Sequence, residues 1–199
     1  MTLMAETALL LVDLQNDFIH PEGAYGRAGQ SAPEIAALPA RLKPLAELMR
    51  AKGGWIVATQ FTLVPAKNQI LISPHLQKLR PFLERRDFEP GSWGHRLVDE
   101  LQPADLSVEK IAYSAFYMTR LEWILRKCDI RQLIVGGIVT NGGVASTLRD
   151  AHVRDFEAMV LEDGCAAFSP EVHRVAIEAL RPVCRVATVA EAMEEIGRA

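Results

Sequence analysis

The chain has 199 residues, 49% of them hydrophobic, and a formal net charge of −3 at pH 7. This length and hydrophobic content suit one ordinary domain with a full core, so a single domain is expected over residues 1–199. The small negative charge and a pI near 6.0 argue against a nucleic-acid partner and leave a small molecule or another protein.

Two features bear on where the protein works. Three cysteines without paired spacing, Cys128, Cys165 and Cys184, favour a reducing compartment over a disulfide-bonded extracellular protein. The apolar run at residues 8–12 is followed at once by Asp13, so it is too short for a signal-peptide core or a membrane span. We therefore expect a cytoplasmic protein without a membrane partner.

The first half of the chain alternates apolar runs with helical spacing. Residues 8–12 predict a buried strand that leads into a polar loop, and residues 20–30, rich in Pro and Gly, predict a loop. Leucines at helical spacing predict a helix over residues 35–51, and residues 55–59 predict the second strand. Residues 61–91 predict a long irregular insertion, which in a compact domain is usually a functional or an interface segment.

The second half continues this alternation. Strands are predicted at residues 107–111, 133–137, 158–161 and 184–188, and helices at residues 95–101, 119–127, 144–153, 170–180 and 190–196. Six strands separated by helices predict right-handed βαβ units, and therefore a three-layer α/β/α, doubly wound fold with a mostly parallel six-stranded sheet. Ligands of such folds bind beyond the carboxyl ends of the strands, near the switch in strand order.

That rule selects residues from three distant parts of the sequence. Asp13 follows the first strand, Lys110 lies at the end of the third, and residues 140–143 follow the fourth. We expect all three to meet at one rim of the sheet. A strand that passes through glycines into a helix also directs backbone N–H groups and the positive helix end towards a concave site, which suits an anion or a developing oxyanion.

Four motifs lie in a fixed order along the chain. They are Leu11-Val12-Asp13-Leu14-Gln15-Asn16-Asp17-Phe18, Glu109-Lys110 with Tyr113-Ser114-Ala115-Phe116, Gly137-Ile138-Val139-Thr140-Asn141-Gly142-Gly143-Val144, and Glu162-Asp163-Gly164-Cys165-Ala166. In this order and at this spacing they resemble the isochorismatase-like hydrolases, many of which are called cysteine hydrolases. The resemblance covers essentially the whole predicted domain.

The resemblance implies roles for individual residues. Asp13 and Lys110 match the catalytic Asp and Lys of the family, and Gly143 stands where most members carry a nucleophilic Cys. Isochorismatases also have Gly at that position and cleave a vinyl ether without a thiol, although they carry a His where this chain has Asn141. The family's turn typically contains a cis peptide bond before its Thr, which implies a cis bond at Val139–Thr140.

The expected substrate contacts surround these groups. The turn is expected to supply oxyanion or substrate contacts and four aromatic side chains to stand near the pocket, so the binding residues are Val139, Thr140, Asn141, Gly142, Gly143, Phe18, Phe61, Trp93 and Phe116. Core packing explains Phe61 and Trp93 about as well. We interpret Asp17 and Glu109 as structural or solvent-facing, and Cys165 as a buried small residue rather than a nucleophile.

No cofactor and no metal site is predicted. Nicotinamidase-like relatives bind a divalent ion through an Asp and two His residues after the second strand, where this chain has Thr59-Gln60-Phe61-Thr62-Leu63. The five histidines of the chain show no short ligand spacing.

These residues predict a Cys-less hydrolase that uses Asp13 and Lys110 on a small-molecule substrate. Two mechanisms stay open: a protonated Asp13 donates a proton to a vinyl ether such as isochorismate, or an ionised Asp13 activates water against a small amide. The alternative function is a non-catalytic ligand-binding or assembly protein that keeps the fold. The resemblance also implies a homo-oligomer, a dimer or a tetramer, for which residues 144–153 and 61–91 are the expected interface.

Overall fold

The elements of the fold are those of a computed structural model, which describes residues 4–67 and 69–198. The strands are β1 Thr7–Val12, β2 Trp55–Phe61, β3 Pro65–Ala66, β4 Gln69–Ile70, β5 Leu106–Lys110, β6 Gln132–Ile138, β7 Glu157–Ala166 and β8 Arg185–Ala187. The helices are α1 Asn16–Ile19, α2 Ala24–Arg27, α3 Pro33–Ala36, α4 Leu38–Ala51, α5 Pro74–Leu79, α6 Leu121–Lys127, α7 Ala145–His152, α8 Pro170–Glu178 and α9 Val189–Arg198.

Six of these strands form one sheet in the order β5-β2-β1-β6-β7-β8, and every neighbouring pair is parallel. The predicted six-stranded α/β fold is thereby confirmed, with a sheet that is parallel throughout. Strand order runs outwards in opposite directions from β1 and β6, so the switch in strand order lies at the centre of the sheet. β3 and β4 form a separate antiparallel ribbon in the insertion.

The central strand β1 is buried on both faces, and its side chains alternate between two cores. Leu10 and Val12 pack with residues of α6, α7 and α8, whereas Leu9 and Leu11 pack with residues of α4 and α9. Because helices cover both faces, β1 is a continuous apolar run rather than an alternating one. Burial of each of these leucines stabilises the fold by roughly 1.5–3 kcal/mol.

Most predicted boundaries move by one or two residues, the loop predicted at residues 20–30 contains the short helix α2, and two predicted elements change more. Residues 35–51 belong to two helices, α3 and α4, because Pro39 has no N–H with which to continue the helical hydrogen bonds of α3. The strand predicted at residues 158–161 continues to Ala166, after a register shift opposite Val135 to Gly137. This extension carries β7 to the same rim as the end of β6.

The helix predicted over residues 95–101 is wrong, since only the 3-10 turn Asp99–Leu101 forms there. The segment instead lies along the loop that follows β1: the Val98 N–H donates to the Leu14 carbonyl at 3.0 Å, and the Asn16 N–H donates to the Arg96 carbonyl at 3.1 Å. These tertiary hydrogen bonds satisfy the backbone that a helix would otherwise satisfy.

Gly137 brings β1 and β6 together at the switch in strand order. Its φ is +128°, and a Cβ at this position would lie 2.1 Å from the Val12 carbonyl oxygen. Only glycine fits such a conformation and such a close approach. The residue that follows β1, Asp13, is therefore held against the turn that follows β6.

The insertion at residues 61–91 folds over this rim as an aromatic and aliphatic cluster. Leu63, Leu83 and Phe88 pack with Ala24 and Tyr25 of α2. None of the helices in the described ranges 4–67 and 69–198 has the length and apolar character needed to cross a bilayer.

Asp17 connects the insertion to α2 through hydrogen bonds of its carboxylate. Its carboxylate accepts hydrogen bonds from the Ala24 N–H at 3.0 Å and from the Phe88 N–H at 2.7 Å. The side chain is buried, which agrees with its interpretation as a structural residue, whereas Glu109 is exposed to solvent.

Candidate active site at the strand ends

Asp13 and Lys110, predicted from separate motifs, form a buried ion pair. Lys110 Nζ lies 2.6 Å from Asp13 Oδ2, and the two side chains are 1% and 7% exposed. β5 pairs with β2, which pairs with β1, so Lys110 reaches Asp13 across the end of β2. The Thr59 hydroxyl donates to Asp13 Oδ1 at 2.8 Å, and Lys110 Nζ also donates to the Ala112 carbonyl at 2.9 Å.

The protonation of Asp13 is set by two opposing influences. Burial raises the pKa of the Asp13 carboxyl above its usual value, while the Lys110 ammonium and the Thr59 hydroxyl lower it. The ring of Phe61 also lies 5.7 Å from Lys110 Nζ and shields the ammonium from water. Burial thus favours the protonated form, which acid chemistry needs, whereas the ion pair favours the ionised form, which base chemistry needs.

The turn after β6 differs from the prediction in its cis peptide bond. This bond joins Ile138 to Val139, so the predicted position, Val139–Thr140, is wrong by one residue. Val139 is the extended N-cap of a turn of π-helix at Thr140–Val144, and the cis bond lies immediately before this cap. The Gly142 N–H donates to the Val139 carbonyl at 2.9 Å, so this expected oxyanion donor is engaged within the turn.

Thr140 is held in place by a hydrogen bond to α8. Its side chain is fully buried, and its hydroxyl lies 2.8 Å from Nδ1 of His173 on α8. Burial lowers the pKa of His173 below the usual histidine value, which favours the neutral ring in this hydrogen bond. Thr140 thus anchors the turn and does not line the cavity above Asp13.

Gly143 faces the Asp13 carboxylate. A Cβ at this position would lie 3.4 Å from Asp13 Oδ2, 3.3 Å from Val12 Cγ1 and 2.8 Å from the Ile138 carbonyl oxygen. The last distance is too short for an ordinary contact, so a side chain here would require the turn to shift. Glycine leaves this space beside the carboxylate without a side chain.

A cavity of about 310 Å³, here called the inner cavity, opens above Asp13 and Lys110. Four predicted binding residues line it, namely Phe18, Phe61, Val139 and Gly143. Asn141 and Gly142 instead line an adjoining cavity, also of about 310 Å³, here called the outer cavity.

Two predicted binding residues lie elsewhere. Trp93 is partly exposed and packs edge-on against His20, 4.9 Å between ring centres. Phe116 is buried in the core with Phe156 on the α6 and α7 side of the sheet. The prediction that these two aromatic side chains line the pocket is therefore wrong. The core-packing interpretation of Trp93 is also wrong, because its ring lies at the surface.

Several residues of the cavity were missed by the sequence analysis. The inner cavity is also lined by Tyr25, Arg80, Tyr113 and Phe168. Tyr25 and Phe168 stack with ring centres 5.5 Å apart, and Arg80 Nε donates to Tyr25 Oη at 3.2 Å. The only signal for Arg80 was its position inside the insertion, and nothing in the sequence pattern connected it with Tyr25.

A larger cavity of about 540 Å³ lies at the opposite edge of the sheet. It is lined by Thr7, Gln132 and Glu157, the first residues of β1, β6 and β7. Parallel sheets bind their ligands at the carboxyl ends of the strands, so the inner cavity is the candidate active site despite its smaller volume.

Two of the three cysteines lack the properties of nucleophiles. Cys165 is 3% exposed, and burial raises its thiol pKa to about 12. Burial likewise raises the pKa of the half-buried Cys184 to about 11. A thiol with such a pKa is almost fully protonated at neutral pH and is a poor nucleophile. Within the described part of the chain, no three His, Cys, Asp or Glu side chains are grouped as a metal site.

Comparison with known proteins places these features in a family. The isochorismatase domain matches residues 7–192. A cysteine hydrolase from Pseudomonas syringae pv. phaseolicola 1448A is 25% identical, with a TM-score of 0.81 over 98% of this chain and 94% of that chain. N-carbamoylsarcosine amidase from Thermoplasma acidophilum is 26% identical, with a TM-score of 0.72 over 92% of this chain and 96% of that chain.

A third structure shares the fold at lower identity. Nicotinamidase/pyrazinamidase from Bacillus subtilis is 24% identical, with a TM-score of 0.75 over 92% of this chain and 99% of that chain. The match to the domain covers most of the sequence, from the start of β1 into α9. The chain therefore belongs to the isochorismatase family and is a hydrolase of that family, as its motifs predicted.

Proposed function

We propose that the protein hydrolyses a small molecule without a covalent intermediate, with Asp13 as the group that transfers the proton. One observation carries this proposal. A Cβ built at position 143 would lie 3.4 Å from Asp13 Oδ2, and the residue at this position is glycine, which has no Cβ. A side chain there would stand directly beside the carboxyl, which supports the assignment of Gly143 to the family's Cys position. Because Gly143 lines the inner cavity, water or a substrate atom in that cavity can approach the acid–base group without meeting a side chain at this position.

The raised pKa of Asp13 supports a mechanism in which Asp13 is a general acid. A protonated Asp13 donates its proton to the terminal carbon of a vinyl ether such as isochorismate, and an oxocarbenium ion forms. Water adds to this cation and returns a proton to the Asp13 carboxylate, and the resulting hemiketal breaks down to a carbonyl compound and an alcohol. Asp13 ends the cycle protonated, so no group is consumed.

The ion pair favours a second candidate, the hydrolysis of a small amide. The Lys110 ammonium, 2.6 Å from Asp13 Oδ2, stabilises the carboxylate, which is the form that removes a proton from water. The activated water then attacks the amide carbonyl, and the proton passes to the leaving amine. An amide-cleaving protein, N-carbamoylsarcosine amidase, is among the similar structures.

A hydrolysis screen distinguishes these candidates. Purified protein would be assayed on isochorismate, nicotinamide and a panel of N-carbamoyl amino acids, next to its Asp13→Asn and Lys110→Ala variants. We expect one class to be hydrolysed, and Asp13→Asn to lose activity by about 100-fold or more, because acid–base catalysis typically contributes that much. Lys110→Ala should also lose activity, because Asp13 loses the partner of its ion pair. The class that is hydrolysed identifies Asp13 as acid or as base.

Two outcomes would reject the proposal. Unchanged turnover in Asp13→Asn would remove Asp13 from the mechanism. If nothing were hydrolysed while a panel member raised the melting temperature, the protein would be a non-catalytic member of the family that binds a ligand.

We further propose that the protein is a homo-oligomer, a dimer or a tetramer, in the cytoplasm. The exposed apolar side chains of Tyr117, Met118 and Trp123 support the oligomer. The three cysteines, which are free thiols, support the cytoplasmic location. Leu148 and Ala151 of α7 pack in the core, so an interface at residues 144–153 would use the exposed side chains of this segment, such as Val153.

A further inference from the structure

The inner and outer cavities lie side by side and share part of their lining. Arg80, Tyr113, Val139 and Phe168 line both of them. Asp13 and Lys110 lie in the inner cavity, whose other walls are mostly aromatic and aliphatic. The outer cavity lies on the other side of these four residues, between the glycine turn and the start of α8.

The outer cavity is rich in hydrogen-bond donors. It is lined by Arg80, Asn141, Ser146 and Ser169, and none of its described lining residues is acidic. The Ser169 hydroxyl oxygen accepts a long hydrogen bond from the Val172 N–H, at 3.5 Å, and its own proton has no acceptor among the described residues, so it is available to a ligand. An amide, two hydroxyls and a guanidinium without a carboxylate suit a group that carries hydrogen-bond acceptors and a negative charge.

Arg80 is held at the junction of the two cavities. Its Nε donates to Tyr25 Oη at 3.2 Å, and its Nη1 donates to the Leu79 carbonyl at 2.9 Å. Tyr25 in turn stacks on Phe168, and the planes of the two rings differ by only 9°. No carboxylate among the described residues forms an ion pair with Arg80, so the guanidinium is positioned but its charge is not neutralised.

We propose that the substrate has two parts, an apolar ring or planar group that occupies the inner cavity and a carboxylate-bearing group that occupies the outer cavity. The reacting bond of the substrate then lies beside Asp13, and its carboxylate lies in the outer cavity, which Arg80 lines. This inference rests on the proposed hydrolysis and names the substrate class for the same site. It predicts that ligands without the charged second part bind weakly.

A blocking substitution in the outer cavity tests the compartment. Val172 on α8 lines the outer cavity, and Val175, one helical turn further on, does not; both are exposed. Val172→Trp is expected to fill the outer cavity and weaken binding of N-benzoylglycine by roughly tenfold or more, as expected when a ligand part loses its pocket. Binding of benzamide, which lacks the second part, is expected to stay unchanged, and Val175→Trp is the matched control.

The charge is tested with an isosteric pair of ligands. Titration calorimetry is expected to show that N-benzoylglycine binds more tightly than the neutral N-benzoylglycinamide, that Arg80→Met removes this preference, and that Arg80→Lys keeps part of it. Equal binding of the two ligands, no binding of either, or an equal loss for benzamide in Val172→Trp would overturn the inference. Because the readout is binding, a preserved charge preference without any turnover would reject the proposed hydrolysis alone.

Discussion

At the scale of single residues, the main charges of the site are those of the buried ion pair between Asp13 and Lys110. Two charged side chains that are 7% and 1% exposed are costly to bury, and each compensates the charge of the other. The sequence placed both residues at the rim because each lies at the end of a strand, and the resemblance to the family's motifs implied their roles. It did not predict the Thr59 hydroxyl as a partner of Asp13, since a Thr within a strand has many structural roles.

Loss of the cation should destabilise the fold in a pH-dependent way. Lys110→Met leaves a buried carboxyl without its partner, which typically costs about 3–5 kcal/mol when the group is charged. The pKa of Asp13, already raised by burial, should rise further without Lys110. A raised folded-state pKa favours the protonated form, so the variant should be least destabilised at low pH and lose stability as pH rises through that pKa. Urea unfolding at a series of pH values measures this effect.

The double variant Asp13→Asn/Lys110→Met is the control for this prediction. It removes both charges, so its loss of stability should be smaller than the sum of the two single losses. Strictly additive losses, or a Lys110→Met stability that does not change with pH, would show that the pair is not coupled in the folded protein.

At the scale of elements, the strand ends could be predicted from sequence and the insertion could not. The apolar run of β1 and the glycines after β6 place Asp13 and Gly143 by local pattern and by the rules of parallel sheets. Arg80 and Phe168 line the same cavity because both contact Tyr25 of α2. No periodicity marks such tertiary contacts, and residue type alone did not show which way Phe116 points.

Asp17 should control the order of the insertion. Asp17→Ala leaves the buried N–H groups of Ala24 and Phe88 without acceptors, at a cost of about 1–3 kcal/mol for each unpaired group. Limited proteolysis of the variant should therefore cleave within residues 61–91 faster than in the unchanged protein. Exposed Glu109→Ala is the control. Equal cleavage rates for Asp17→Ala and the unchanged protein would rule out this role.

At the scale of the whole molecule, the fold and the chemistry are separate properties. Two cores on either side of one parallel sheet hold the rim together, and this architecture is shared with an amidase and a nicotinamidase/pyrazinamidase. At the rim, Gly143 faces the Asp13 carboxyl without a side chain. The reaction therefore depends on the residues at the rim rather than on the architecture.

Turnover by a cysteine-free protein tests the central claim most directly. A variant with Cys128→Ser, Cys165→Ala and Cys184→Ser would be compared with Asp13→Asn on the same substrate, after melting temperatures show that both are folded. Hydrolysis without a thiol predicts that the cysteine-free protein keeps its rate to within about threefold, whereas Asp13→Asn loses roughly 100-fold or more. An inactive cysteine-free protein, or an active Asp13→Asn variant, would contradict the proposed mechanism.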